Sequence, residues 1–243
     1  MKLIKLNAIN STNTFLKDLS KNTILENFTI VVTENQTNGR GQQESSWVSE
    51  PNKNLTFSVY LCDLNLDISN KKYLNYAVSL SIFSVLKNKN IPNLAIKWPN
   101  DIVSGNKKLC GILIENSIQK NSIQNSIIGI GLNVNQERFS ETLKNVTSLK
   151  NLLHKDVELD NLLKDICFEL QNQLLILSEK KYQMLEDNYL KVLYQIHKAM
   201  MFKNTENELF LGIIRGISET GNIIIELENE TKREFGIKEI SFA

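Results

Sequence analysis

The sequence is short of the residues that build metal centres and covalent frameworks. Its three cysteines, Cys62, Cys110 and Cys167, lie far apart, and it has two histidines, His154 and His197. An odd, scattered cysteine set argues against a disulfide framework. So few Cys and His residues also argue against structural zinc, and the two histidines do not suggest a Ser-His-Asp or Cys-His set. No apolar stretch approaches the roughly 20 residues of a membrane span. The opening Met1-Lys2-Leu3-Ile4-Lys5 has no apolar run of signal-peptide length. A reduced, cytoplasmic protein is the expectation. An excess of charge is missing too: 28 Lys and Arg face 27 Asp and Glu, a formal net charge of +1. That argues against wholesale binding to nucleic acid or a membrane surface, but leaves room for a local basic patch.

What remains is an ordinary globular composition, 42% hydrophobic over 243 residues, enough for one sizeable domain and a small one. There is no internal repeat. Leu3–Ile9 reads as a strand, and Ser11-Thr12-Asn13 caps a helix over Thr14–Ser20. Phe28–Thr33 reads as a buried strand. Gln36–Asn54 is polar and reads as a long loop, a length that is often functional. Leu55–Leu61 has the strand period, and Lys71–Asn88 has the helical one. Leu94–Trp98 and Ile102–Val103 are strand-like, with a hairpin turn at Ser104-Gly105-Asn106 leading into Lys108–Glu115. Ser126–Val134 is another strand, and Asp160 to about Gln195 is mostly helical. After His197 come short strands, Leu209–Ile217, Ile223–Leu227 and Glu234–Phe242, with turns at Glu219–Asn222 and Glu228–Glu230. They suggest an all-β module of about 45 residues, small enough to need docking on the larger part.

Four segments could carry chemistry. Gln36-Thr37-Asn38-Gly39-Arg40-Gly41-Gln42-Gln43, followed by Trp47, lets backbone pass close to a ligand, and Arg40 offers a fork for carboxylate or phosphate. Taken alone it also reads as a surface turn. In Lys97-Trp98-Pro99-Asn100-Asp101, Pro99 holds Trp98 extended, so Lys97 and Asp101 can project from a strand end; a surface ion pair is the plainer alternative. Lys107-Lys108-Leu109-Cys110-Gly111-Ile112-Leu113-Ile114-Glu115 is a largely uncharged strand. Lys108 at its start can hold a phosphate as a point charge or simply be solvated, as Lys107 is expected to be. Cys110 reads as a buried hydrophobe. Gly129-Ile130-Gly131-Leu132-Asn133-Val134-Asn135 alternates glycines, from close approach of a ligand or from tight strand packing. No third glycine opens a helix, so it is not a dinucleotide fingerprint.

In this order the segments resemble the biotin–protein ligase family: Ser-Thr-Asn, Gln-x-x-Gly-Arg-Gly, Lys-Trp-Pro-Asn-Asp, Lys-Leu-x-Gly-Ile-Leu-x-Glu and Gly-Ile-Gly-x-Asn-Val-Asn. The resemblance implies an α+β fold, with a mixed-sheet catalytic domain over residues 1–195 and a small SH3-like barrel over 196–243. It implies an ATP-dependent ligase that makes biotinyl-5'-AMP and transfers biotin to a lysine of a biotin carboxyl carrier protein. The alternatives are a lipoate or octanoate ligase or transferase of the same fold, and a non-catalytic biotin-binding module. The family's biotin-binding positions fall on Ser11, Thr12, Asn13, Gln36, Gly39, Arg40, Gly41, Lys108 and Gly111. The ATP-binding positions fall on Arg40, Gln42, Trp47, Lys97, Asn100 and Asn133. Lys108 and Arg40 are the expected catalytic residues, and Asp101 the expected Mg2+ ligand. The Ser-Thr-Asn motif at residue 11 leaves no room before it for the DNA-binding domain of many family members, so no DNA partner is expected. The resemblance allows a homodimer. One departure stands out: Gln42-Gln43-Glu44-Ser45 replaces the more basic Arg-x-Gly-Arg of many members, which bears on how firmly the loop holds an adenylate.

Overall fold

The computed structural model describes residues 2–43 and 45–243. Met1 of the opening segment and Glu44 of the departing loop lie outside the described residues. The strands are β1 Lys2–Ile9, β2 Thr29–Gln36, β3 Gly39–Arg40, β4 Ser46–Trp47, β5 Leu55–Leu61, β6 Leu66–Asp67, β7 Leu94–Lys97, β8 Asp101–Ser104, β9 Lys107–Gln119 and β10 Ser122–Leu132. They continue with β11 Ala199–Asn204, β12 Leu209–Ile217, β13 Ile223–Leu227, β14 Lys232–Phe235 and β15 Ile240–Phe242. The helices are α1 Thr12–Asn22, α2 Lys71–Asn88, α3 Leu149–Leu153, α4 Leu159–Ser178 and α5 Tyr182–Lys191. The expected α+β architecture is present.

The large sheet is mixed, in the order β1-β2-β5-β10-β9-β8-β7, with β6 beside β10. Among the described residues only its β1–β2 strand pair is parallel. Helix α2 is buried nearly all round, from Leu74 to Leu86, because it lies between the sheet and α4; a helix so placed needs no polar face. Helix α1 covers part of the opposite sheet face through Leu16, over Val31, Tyr60 and Ile127. Strand β5 is therefore buried at every residue. Its alternation separates two different interiors rather than inside from outside.

Most of the expected elements stand where the periodicity puts them. The loop after Gln36 differs: it folds back on itself as the short β3–β4 hairpin. The expected strand Glu234–Phe242 is two strands. A turn at 236–239, held by the Gly236 N–H donating to Glu239 Oε2 at 2.7 Å, with Lys238 at a left-handed φ of 67°, separates β14 from β15. The C-terminal strands form a five-stranded antiparallel sheet in the order β14-β13-β12-β11-β15. Its Phe202, Ile214, Ile223, Ile225 and Phe235 join the same continuous core as the large sheet. Each such fully buried side chain contributes on the order of 1.5–3 kcal/mol. No helix is long and apolar enough to cross a membrane among the described residues.

Candidate active site

Strand pairing builds the floor. Register aligns Thr56 of β5 with Gly131 of β10, Gly131 with Gly111 of β9, Gly111 with Asp101 of β8, and Asp101 with Lys97 of β7. The next row runs Ser58, Gly129, Leu113. Side chains two apart share a sheet face, so these rows give one surface with bare glycines at its centre and ionic groups at one end. The glycines are required. A β-carbon on Gly131 would strike the Trp47 indole, and one on Gly129 would strike the Asn13 amide.

Above this floor lies a cavity of 380 Å³. The N-terminus of α1 brings Ser11, Thr12 and Asn13, the β3–β4 hairpin brings Arg40, Gly41, Gln42 and Trp47, and the turn after β7 brings Asn100. Gln36, Lys97, Asp101, Lys108 and Gly111 also line it. Gly39 and Asn133 do not. Gly39 opens the hairpin and is packed against its neighbours, where a β-carbon would come within 2.6 Å of the Gln36 amide. Asn133 is 2% exposed, and its amide donates to the Thr147 carbonyl at 3.1 Å, away from the cavity.

At one end the polar groups form a connected set. Gln36 Oε1 accepts from the Thr12 N–H at 2.8 Å and from the Thr12 hydroxyl at 3.0 Å. The Ser58 hydroxyl, which has a single proton, stands 2.6 Å from both Thr12 Oγ1 and Asn13 Oδ1. Ser11 accepts from the Thr14 N–H and caps α1. Buried polar groups in such a network hold one arrangement and reject a ligand that leaves them unpaired.

At the other end the cavity is cationic. Lys97, Lys108 and Lys238 line it, against one lining carboxylate among the described residues, Asp101, while Arg40 lines the cavity from the hairpin and pairs with Glu115 at 2.8 Å. Lys108 Nζ lies 2.7 Å from Asp101 Oδ1, close enough for an ion pair but out of line for a hydrogen bond, since that oxygen has no bonded donor among the described residues. The register shifts between Ile102 and Val103, so Leu109 of β9 has no opposite residue. This bulge turns Lys108 onto the face of Gly111; in a regular strand it would share the face of buried Cys110. Lys97 Nζ sits 4.7 Å from the Phe242 ring centroid and 5.7 Å from that of Tyr194. Burial, and secondarily Lys108, pull its ammonium below the usual lysine range, against the opposing pull of Asp101. Burial pushes the Cys110 thiol far up, which leaves it an inert hydrophobe.

Several participants were not foreseen. Ile223, Ile237, Lys238, Ile240 and Phe242 of the C-terminal sheet form a wall of the cavity, and Lys238 Nζ donates to the Gln43 carbonyl of the hairpin. Trp98 Nε1 donates to the Gly221 carbonyl at 3.0 Å, tying the two sheets together. No local sequence signal marks these contacts. Glu115 and Ser58 were also missed, although Glu115 shares the parity of Gly111 and Leu113 on β9 and was legible in that sense. Besides Asp101 Oδ1, two polar atoms of residues that line the cavity, Trp47 Nε1 and Thr56 Oγ1, are buried without a hydrogen-bond partner among the described residues. Such groups are rare in folded proteins unless a ligand or water completes them.

The model of the biotin/lipoate A/B protein ligase family matches residues 6–133. A bifunctional ligase/repressor BirA of Bacillus subtilis is 27% identical over 240 residues, which covers 95% of this chain and 71% of that protein. A biotin–[acetyl-CoA-carboxylase] ligase of Mycobacterium tuberculosis is 24% identical over 205 residues, 83% of this chain and 74% of that one. Among solved structures, a biotin protein ligase from Aquifex aeolicus in complex with biotin and ATP superposes with a TM-score of 0.82 at 26% identity, covering 100% of this chain and 98% of that one.

Proposed function

The chain belongs to the biotin/lipoate A/B protein ligase family, and from that premise we propose that it is a biotin–protein ligase. It joins biotin to ATP as biotinyl-5'-AMP and then transfers biotin to a lysine of a biotin carboxyl carrier domain. The observation that carries this reading is one cavity with a connected polar pocket at α1, three lysines at the far end, and Arg40 on the hairpin. That the similar Aquifex aeolicus ligase binds biotin and ATP supports the choice of substrates.

Ser11, Thr12, Asn13 and Gln36 take the ureido ring, whose donors and acceptors complete the network. The acyl chain runs past Gly41 and the Trp47 indole, which covers Gly131, and brings its carboxylate to Lys108 beside Gly111. Arg40, Lys97 and Lys238 receive the phosphates. Gln42, Trp47 and Asn100 border the remaining nucleotide. Asn133 supports the floor from behind and touches no substrate.

In the first step a biotin carboxylate oxygen attacks the α-phosphorus of ATP, and the bond to the bridging oxygen breaks with release of pyrophosphate. Two anions must meet, so fixed positive charge lowers the repulsion and holds an in-line approach. In the second step the neutral amine of an acceptor lysine attacks the acyl carbon, AMP leaves, and the amine gives up a proton. No covalent bond to the enzyme forms. Magnesium fits as part of the nucleotide, because it keeps its waters and needs few protein carboxylates. Among the described residues Asp101 is the lining carboxylate that could hold it, and the ion would supply further charge neutralisation.

Incubation with biotin, ATP-Mg and a carrier domain, followed by intact mass, tests this. One biotinyl group on the carrier is expected. Modification with lipoate but not biotin would assign the chain to the lipoate branch instead.

A further inference from the structure

Glu115 lies within β9, the strand that also carries Lys108 and Gly111, and it does not line the cavity. One of its carboxylate oxygens nevertheless holds two residues that do. Glu115 Oε2 accepts from Asn13 Nδ2 at 2.8 Å and from Arg40 Nη2 at 2.8 Å. Its other oxygen lies 3.8 Å from Lys17 Nζ. Asn13 is 2% exposed, wedged against Gly129. The Arg40 side chain is 42% exposed. The same atom thus fixes a buried residue of the ring pocket and ties the loop arginine beside it.

From this shared acceptor we infer that Glu115 is a positioning residue coupling the two substrate sites. It props Asn13 for the ring, and it parks Arg40 until a phosphate competes for the guanidinium. A nucleotide must draw Arg40 off a carboxylate, so Glu115 opposes nucleotide binding while supporting ring binding. Substituting it therefore moves the two substrates in opposite directions, which general damage to the fold does not do. The inference rests on the ligase reading above.

Biotin-dependent pyrophosphate release gives both KM values for wild type, Glu115→Gln and Glu115→Ala. Glu115→Gln removes the charge but keeps an oxygen for Asn13. The ATP KM should fall about two- to fivefold, a modest change because Arg40 is solvent-screened, with the biotin KM near wild type. Glu115→Ala should also raise the biotin KM at least about fivefold, because a buried amide loses its acceptor. In an Arg40→Met background the effect on ATP should vanish and the effect on biotin persist. A second readout needs no turnover: trypsin should cut after Arg40 faster in ligand-free Glu115→Gln than in wild type or Lys17→Gln. An active wild type whose variants raise both KM values together, or change neither, overturns the coupling, as does unchanged cleavage after Arg40. A wild type without biotin-dependent activity defeats the functional reading instead, and the cleavage assay still decides whether Glu115 holds Arg40.

Discussion

Gly131 lies beneath the Trp47 indole so closely that a β-carbon on the glycine would run into the ring. The hairpin tryptophan thus rests on the sheet floor, across from Lys108, whose Nζ is 6.0 Å from the indole centroid. For Gly131→Ala the added methyl should displace the ring, at about 1–3 kcal/mol of overpacking if it stays. Trp47 emission, read in a Trp98→Phe background, should shift in the free protein and respond less to ATP. Unchanged emission would show that the indole does not depend on this floor.

Lys108 and Lys107 are neighbours with opposite fates, because the bulge turns one into the cavity and leaves the other exposed. Lys108→Ala should slow adenylation by at least ~100-fold, as expected for a positioned electrostatic group. Lys107→Ala should stay near wild type. Equal losses in pyrophosphate release would mean that the bulge does not select between them.

The lowered Lys97 ammonium makes two alkaline effects predictable. Between that lowered value and the ordinary 10.5, the unfolded chain binds a proton that the fold does not, so stability should rise with pH across this window. Phosphates favour the charged form, so ATP binding should take up a proton there and weaken as pH rises through the lowered value. Calorimetry in buffers of different ionisation enthalpy measures the uptake. Lys97→Met should abolish it, and an uptake that survives the substitution assigns it elsewhere.

Asn133 is buried and bonded to the carbonyl of Thr147, itself 3% exposed. Asn133→Ala should cost about 1–3 kcal/mol in urea unfolding by leaving that carbonyl unpaired, with KM for ATP near wild type. A large rise in KM at unchanged stability would return this residue to the nucleotide site.

Gln42 stands on the hairpin where many ligases carry arginine. Gln42→Arg should slow escape of biotinyl-adenylate, followed by trapping the released compound in the absence of carrier. Equal release from both proteins would remove the loop's composition as the cause.

Much of the fold was legible because periodicity reports local geometry. Lys71–Asn88 repeats apolar residues at helical spacing and is a helix over that span. Leu209–Ile217 and Ile223–Leu227 are bounded by turn residues and are strands at those positions. Strand β5 was half legible: alternation marked the strand, but burial of both faces depends on α1 and α2, which the segment itself does not encode.

By itself the sequence determined most of the order of elements, the polar residues at the capped start of α1, and the glycines on which Trp47 and Asn13 pack. These depend on neighbours in the chain and on side-chain size. Tertiary structure alone decided that Thr56, Gly131, Gly111, Asp101 and Lys97 form one row, since register is set by strand pairing. It also turned Lys108 inward through a bulge, brought Lys238 from the far end of the chain to the hairpin, and gave Asn13 and Arg40 one carboxylate oxygen to share. Such contacts join residues up to 195 positions apart, and the energy that fixes them is burial and pairing across elements, which no single segment carries.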